Sequence, residues 1–409
     1  MIDFLIVVLA ATFPWSTAVA TGLLVAILPM LCVTHGYREI IEQLRRPACA
    51  LPLALVVIAI AGVAWAEGVP WSQRVHAIEK VAKLLWFAPL FLHFQKTRRA
   101  RLIFATYVGS NLVLLAVSFV MFADPSLWGA VTGKEVGVPV KNYIDQSQGF
   151  SFIALVCVAF AAECITGARM REAIAWGATS AAFIGNLVVV NVARTAFFYV
   201  PAMLLVIGTR YARGWQLVLA VSGSCILAAG LWATSPNLQM KMSRLLREFD
   251  AFQTNNVMVG DYTAGGAERL EMWRKSIGFM RSAPIIGHGT GSTRTLFAAA
   301  AEGKTGLRGE VVENPHNQTL ATGVQWGGVG CVLLYAMWCA HFYMFHRSVG
   351  PPRFRLLALI GCLAVVQNVT SSVFNSHLFD FYEGWLYVLS VTLVGGQMRR
   401  MRSEGSDDR

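Results

Sequence analysis

The dominant pattern along the chain is a repeated alternation of long apolar stretches with short polar ones. Many windows of about 20 residues contain no charged residue, and about 20 apolar residues suffice for a helix to cross a bilayer. The pattern predicts twelve spans, at residues 2–13, 16–33, 48–66, 77–95, 102–123, 147–167, 173–192, 195–209, 215–234, 316–345, 356–374 and 382–397. A cleaved signal peptide is the alternative for the first stretch, but no basic residue precedes it.

Composition and charge support an all-α polytopic membrane protein. Of the 409 residues, 56% are hydrophobic and 14% are charged, which is too apolar for a soluble protein of this size. The net charge of +11 is compatible with nucleic-acid binding, but the basic residues cluster in short loops between apolar spans. The positive-inside rule explains that distribution, so we expect cytoplasmic termini, membrane lipids as neighbours and no nucleic acid.

One long segment of mixed charge interrupts the apolar pattern and is predicted on the outer side. The predicted organisation is therefore helices 1 to 9 in residues 1–234, an outer segment with helices in 235–315, and helices 10 to 12 with a short basic tail in 316–409. Within the outer segment, Lys241–Phe252 is either a helix on the membrane surface or a plain connector. Ala267–Arg281 has apolar residues at helical spacing, among them Trp273 and Ile277.

Polar residues gather where the tenth span begins, in Glu313-Asn-Pro-His-Asn317. Asn314 is predicted to cap the helix, with Pro315 at its first position and His316 in its first turn. The positive end of the helix dipole would then keep His316 neutral and able to accept a proton. A purely structural histidine is the alternative. Further along, Gly327-Gly-Val-Gly330 would let a neighbouring helix approach closely.

Two arginines on the predicted outer side are candidates for binding an anion. Arg194 lies at the edge of a span, where its side chain either reaches lipid headgroups or binds a phosphate. Arg269 begins the predicted helix 267–281, and the glycine-dense turn 284–291 would bend the chain so that Arg269 approaches His316. That turn lacks the GK[ST] of a nucleotide-binding loop, and its His288 is poorly oriented for a base because glycines flank it.

These motifs resemble those of bacterial O-antigen ligases, within the wider O-antigen ligase and polymerase family. His316-Asn317 with Gly327 and Gly330 matches the H-N-x9-G-x-x-G signature. Glu268-Arg-Leu-Glu-Met-Trp273 followed by Pro284-Ile-Ile-Gly-His-Gly289 is similar to the R-x-x-x-W and P-x-x-G-x-G run of the group. Ala193-Arg194-Thr195-Ala196 is similar to its S-R-T-A element, with alanine where serine is common.

The resemblance implies an enzyme of the bacterial inner membrane with a GT-C-like architecture and a site facing the periplasm. It would transfer O-antigen glycan from undecaprenyl diphosphate to a sugar hydroxyl of lipid A–core. His316 would be the general base, and Arg194 and Arg269 would bind the departing diphosphate. No outer carboxylate pair stands out as a metal site, so we expect a metal-independent, inverting reaction without a cofactor. The expected oligomeric state is a monomer.

Several polar residues are weighed as further substrate contacts. Asn317 adjoins the base, and Lys83, Gln146 and Gln148 lie at predicted outer helix ends. For the last three, ordinary interface residues are the alternative. Asp380 and Glu383, before the last span, are weighed as residues that orient acceptor sugars.

Three other functions fit parts of the sequence. An O-antigen polymerase would use the same donor with another lipid-linked glycan as acceptor, and the motifs separate it poorly from a ligase. A protein glycosyltransferase usually has a longer chain. A lipid-linked glycan flippase or transporter is also compatible with twelve spans, but transporters place charged residues near the bilayer midplane, whereas Arg194, Arg269 and His316 are predicted at the outer face.

Overall fold

The computed structural model describes residues 1–127, 135–190, 193–211, 264–346 and 350–407, together with single residues between 214 and 243. Within these residues the protein is helical and has no β-strand. The α-helices run Ile2–Thr12 (α1), Thr17–His35 (α2), Tyr37–Gln43 (α3), Pro47–Ala61 (α4), Trp71–Ala82 (α5), Phe87–Lys96 (α6), Ala100–Ala123 (α7), Tyr143–Thr166 (α8), Met170–Val189 (α9), Ala196–Tyr211 (α10), Ala264–Ser282 (α11), Ser292–Ala301 (α12), Gln318–His346 (α13), Pro352–Ser371 (α14) and Phe381–Asp407 (α15).

The helices confirm a polytopic membrane protein. Among the described residues, α2, α7, α8, α9, α13 and α14 are long and apolar enough to cross a membrane. A seventh span results if α3 and α4, which are bent by 101° relative to each other, form one crossing. The predicted span 215–234 and the predicted surface helix Lys241–Phe252 fall largely outside the described residues. The count of twelve therefore stays a prediction.

Helices α8 and α14 form the centre of the bundle. Their apolar windows are 61% and 67% buried within the protein, whereas the other candidate spans are between 22% and 33% buried. Helix α14 packs against α8, α10, α13 and α15. Ser372 and Phe374 follow the end of α14 and contact the beginnings of α13 and α10, at Gln318 and Phe198 respectively. We call this region of the bundle the site end.

A break in α13 determines how the outer helices attach to the bundle. Gly327 has φ +58°, so the helix is interrupted there and backbone groups on both sides lose their regular partners. Residues 284–289 supply new ones. Four backbone hydrogen bonds join the two segments: Gly328 N to Pro284 O at 2.8 Å, Val329 N to Ile285 O at 3.1 Å, His288 N to Val324 O at 2.9 Å and Gly289 N to Gln325 O at 2.9 Å.

Glycines permit this close contact between backbones. A Cβ on Gly327 would lie 2.4 Å from Ile285 O, and one on Gly287 would lie 2.5 Å from the carbonyl carbon of Gln325. We predicted that Gly327 and Gly330 would let a neighbouring helix approach closely. That prediction is wrong, because the segment packed against Gly327 is a turn and not a helix. Gly327 faces the glycine-dense turn, and Gly330 is covered by Trp326 of its own helix.

Helix α11 confirms the predicted helix over Ala267–Arg281 but not the face that it buries. Met272 and Ser276 are buried, whereas Ile277 is 42% exposed. The apolar stripe does not decide this orientation because α11 also contacts the turn Gly306–Gly309, where Lys275 Nζ donates to Arg308 O at 2.7 Å. At the helix end, the His288 ring lies 2.9 Å from Phe279 O, which gives that histidine a structural role.

Candidate functional site

His316 lies in a strained turn ahead of α13 rather than inside it. Its φ is +53°, a conformation that residues with a side chain adopt rarely. The Asn314 Oδ1 atom accepts a hydrogen bond from His316 N at 2.9 Å and holds this turn. The helix cap is Asn317, whose Oδ1 accepts from Leu320 N at 3.0 Å. The predicted cap at Asn314 is therefore wrong by three residues, because Asn314 uses its side chain to close the turn.

The His316 side chain is held by Asn375. Its Nδ1 atom lies 2.8 Å from Asn375 Oδ1, and Asn375 Nδ2 donates to Asp380 Oδ2 at 3.0 Å. An ionised carboxylate only accepts, and an amide oxygen only accepts. Asp380 therefore orients the Asn375 amide, and Asn375 requires the proton of a neutral His316 to reside on Nδ1. The lone pair of His316 is then on Nε2.

The environment of His316 favours the neutral ring. Burial lowers the pKa of His316 below its ordinary value, and the charges of Arg269 and His377 lower it further. The hydrogen bond to Asn375 and the charge of Asp380 act in the opposite direction. The direction agrees with the prediction, but its main cause is burial in the turn rather than the helix dipole.

The segment between α14 and α15 encloses the His-Asn motif. Asn317 Nδ2 donates to Val373 O at 2.9 Å, and Ser376 Oγ donates to Asn314 Oδ1 at 2.7 Å. Asn375 belongs to this segment and was missed by the sequence analysis. The available signal was the short polar run Asn375-Ser-His377, which follows a predicted span at the same side of the membrane as His316.

Arg269 and Trp273 connect α11 to the His316 turn. They are four residues apart on one helix and so project from the same face. Trp273 Nε1 donates to Pro315 O at 3.0 Å, directly before His316. Arg269 is close enough for its charge to lower the pKa of His316. The structure thus brings the two predicted residues Arg269 and His316 to one place.

The segment that carries Arg194 is joined to the same region by an aromatic contact of Phe198. It lies just before α10, and the preceding Ala193 N donates to Ser147 Oγ at 2.8 Å. One turn into α10, the Phe198 ring centroid lies 4.2 Å from that of Phe374, the residue before Asn375. The Trp273 ring lies 6.4 Å from the same phenylalanine. The segments that carry Arg194, Arg269 and the His316 turn therefore meet around Phe374.

The other predicted contacts have protein partners. Lys83 is 6% exposed, and its ammonium donates to the carbonyls of residues 378–380. Gln146 Nε2 lies 3.2 Å from Ser118 Oγ, and Gln148 Oε1 accepts from Gln367 Nε2 at 2.7 Å. Each of these side chains supports the site end by joining helices to one another.

Comparison with known families gives a match to part of the chain. The family model described as O-antigen ligase matches residues 179–335. This part of the chain is therefore similar to the O-antigen ligase family. The matched residues include Arg194, Arg269 and the His316 motif, while Asn375 and Asp380 lie beyond them. The family consists of glycosyltransferase-like enzymes that act in O-antigen and lipopolysaccharide pathways on lipid-linked polysaccharides. No curated protein matches the chain.

One group of residues near the His316 turn has the composition of a metal site. Donor atoms of His377, Asp380 and Glu383 lie within 4.8 Å of one another. Asp380 and Glu383 were predicted only as residues that orient acceptor sugars, and His377 was not predicted beside them. Lys83 Nζ donates to the Asp380 carbonyl and so adjoins this group.

Proposed function

We propose that the protein is an O-antigen ligase that transfers glycan from undecaprenyl diphosphate to a sugar hydroxyl of lipid A–core. The enzyme resides in the bacterial inner membrane with both termini in the cytoplasm. Its site end faces the periplasm, where donor and acceptor meet. The family match supports the class of reaction, and the hydrogen bond between His316 and Asn375 is the observation that supports the mechanism.

His316 is the general base of this mechanism. Its Nε2 lone pair takes the proton of the acceptor hydroxyl, and the acceptor oxygen forms a bond to the anomeric carbon of the donor glycan. The bond between that carbon and the diphosphate oxygen breaks, and the diphosphate leaves with the electron pair. Attack opposite the leaving group inverts the anomeric centre. The lowered pKa of His316 keeps the base in its reactive form at neutral pH.

Arg194 and Arg269 bind the departing diphosphate. Guanidinium groups suit this role because they stay charged and donate two parallel hydrogen bonds to phosphate oxygens. Arg269 also couples donor binding to the strength of the base, because its charge lowers the pKa of His316. A bound diphosphate offsets that charge, so the base becomes stronger when the donor is in place. Arginine charge supplies the stabilisation that other glycosyltransferases take from a metal, and the reaction proceeds without one.

Four further residues have a supporting role in the proposed site: Asn317, Lys83, Gln146 and Gln148. Asn317 caps α13 directly beside the base, and the other three maintain the packing of the site end. A direct contact with substrate requires Asn317 Nδ2 and Lys83 Nζ to exchange a protein partner. Within the described residues, Gln146 Oε1 and Gln148 Nε2 have no hydrogen-bond partner to exchange. Their substitution should therefore affect stability together with turnover.

The alternative within the family is an O-antigen polymerase, which would use the same base and the same arginines. A strain that lacks the gene separates the two. Loss of a ligase leaves complete polymer on the lipid carrier, whereas loss of a polymerase leaves lipid A–core capped with a single repeat unit.

The proposal is tested by transfer with purified protein. Full-length protein in detergent is mixed with glycan-loaded undecaprenyl diphosphate and lipid A–core, and the products are separated by electrophoresis and identified by mass spectrometry. Glycan on lipid A–core together with released undecaprenyl diphosphate is the expected result. Glycan added to a second lipid-linked glycan would establish the polymerase, and donor that only moves between leaflets of a vesicle would establish a transporter.

A further inference from the structure

A polar cavity of about 360 Å³ lies beside the His316 turn. Its walls come from α5, the start of α12 and the start of α13, and it is lined by Asn314 and Asp380. Asn314 holds the His316 turn, and Asp380 orients Asn375, so the cavity wall that these two residues form adjoins the residues that hold the base. Ligand sites in proteins have volumes of about 300–1,000 Å³. The cavity is large enough for a saccharide.

Two of the three basic side chains that line this cavity, those of His76 and Arg294, already have partners. Arg294 Nη1 lies 2.6 Å from Glu313 Oε1, and this hydrogen bond holds the pKa of Glu313 below its ordinary value. The His76 ring lies 3.5 Å from Glu79 and 3.9 Å from Glu313. These contacts leave the cavity walls with nearly balanced charge at those positions.

Lys80 and Thr293 differ from the rest of the lining. Within the described part of the chain, Lys80 is half-buried, lines the cavity and makes no hydrogen bond, although its charge contributes to the lowered pKa of Glu313. Thr293 is only 4% exposed. Among the described residues, its Oγ1 atom has no hydrogen-bond partner. A buried hydroxyl without a partner is costly and indicates a ligand that supplies one.

We infer that this cavity binds the acceptor as an anionic saccharide, with its phosphate or carboxylate on Lys80 and a sugar hydroxyl on Thr293. The inference rests on the proposed function, since the cavity opens beside the proposed base. It assigns the acceptor to the side of the turn formed by α5, α12 and α13. The donor diphosphate lies on the side formed by α10 and α11, where Arg194 and Arg269 are located.

Binding of a synthetic disaccharide in phosphorylated, carboxylated and neutral forms tests this site. Each form is titrated calorimetrically into full-length protein in detergent, without donor. Lys80→Met should weaken binding of both charged forms about tenfold, which is the loss of one charge-assisted hydrogen bond, and leave the neutral form unchanged. The ratio of the two charged forms shows which anion is preferred. Lys304→Met is the matched control, because Lys304 is an exposed lysine outside the cavity.

A second variant protects the test against misfolding. Thr293→Val keeps the size of the side chain and should weaken all three forms several-fold with an unchanged thermal midpoint. The inference is overturned if the charged forms bind Lys80→Met as tightly as wild type, or if neutral and charged forms bind wild type equally.

The transfer assay separates this inference from the proposed function. If glycan transfer proceeds and Lys80→Met leaves the acceptor KM unchanged, the cavity is not the acceptor site although the enzyme is a ligase. If the charged disaccharides bind through Lys80 but no glycan is transferred to lipid A–core, the saccharide site stands and the ligase proposal fails.

Discussion

Nδ1 of His316 lies 2.8 Å from Oδ1 of Asn375, although 59 positions separate the two residues in the chain. This contact fixes which nitrogen of the neutral ring carries the proton. Asp380 completes the relationship by accepting from the other end of the same amide at 3.0 Å. A base whose lone pair has a defined direction needs such a partner, because a ring free to rotate or to change tautomer accepts a proton from a given hydroxyl only part of the time.

Replacing Asn375 tests this orientation. Asn375→Leu has a side chain of similar size that neither accepts nor donates a hydrogen bond, so His316 loses its fixed tautomer. We expect kcat to fall by about 10²-fold, the typical loss when a reacting group is displaced slightly, with little change in donor KM. The pH profile gives a second readout, because this hydrogen bond raises the pKa of His316 and its loss moves the acidic limb to lower pH. An unchanged kcat would show that Asn375 does not position the base.

Arg269 should control the pH dependence of transfer. Its charge lowers the pKa of His316, and the base is active only when neutral, so activity declines as pH falls through that pKa. Arg269→Gln removes the charge, raises the pKa and moves the acidic limb of kcat/KM toward higher pH, with a weaker affinity for the donor. Arg281→Gln, at the exposed end of the same helix, is the control and should keep the wild-type profile. If the pH profile of Arg269→Gln matches that of the control, the charge of Arg269 does not act on His316.

The helices were predictable from the sequence because their signals are local. Runs of apolar residues gave the membrane spans, and helical spacing gave the helix that the structure places at Ala264–Ser282. The three motif residues Arg194, Arg269 and His316 were recognisable for the same reason, since each stands in a short pattern of its own. Their roles in catalysis stay predictions.

The details of the site depend on contacts between distant segments and were not predictable. The left-handed turn at His316 exists because Asn314 and Trp273 hold it from both sides. Gly327 breaks α13 because residues 284–289 pair with the released backbone groups. The choice of Asn375 as the partner of His316 follows from the packing of α14 against α13, on which a single sequence carries no direct information.

The glycines at the contact between α13 and residues 284–289 should not tolerate a side chain. Gly327→Ala places a Cβ 2.4 Å from Ile285 O in a left-handed backbone, where neither backbone can move without breaking hydrogen bonds. We expect a loss of about 1–3 kcal/mol in the free energy of unfolding, visible as a lower thermal midpoint in detergent. Gly278→Ala is the control, since nothing lies within 4 Å of that Cβ and the substitution favours a helix. Equal thermal midpoints for the two variants would contradict the tight packing of Gly327 against residues 284–289.

Chelation tests whether His377, Asp380 and Glu383 act as a metal site. Because Arg194 and Arg269 are available to bind the diphosphate in the proposed mechanism, we expect millimolar EDTA to leave the transfer rate unchanged. EDTA loaded with an equal amount of calcium controls for effects on lipid aggregation. A rate that falls with free EDTA alone and recovers with added Mg²⁺ or Mn²⁺ would assign a metal to these residues and contradict the metal-independent mechanism.

The most direct measurement of the central claim compares two histidine variants in the purified transfer assay. His316→Ala removes the proposed base, and His346→Ala removes an exposed histidine at the other end of the same helix. We predict that His316→Ala loses at least about 10²-fold in kcat, the usual contribution of a general base, while it binds the lipid-linked donor as wild type does. His346→Ala should transfer glycan at the wild-type rate. Transfer by His316→Ala within a few-fold of that rate would contradict the account.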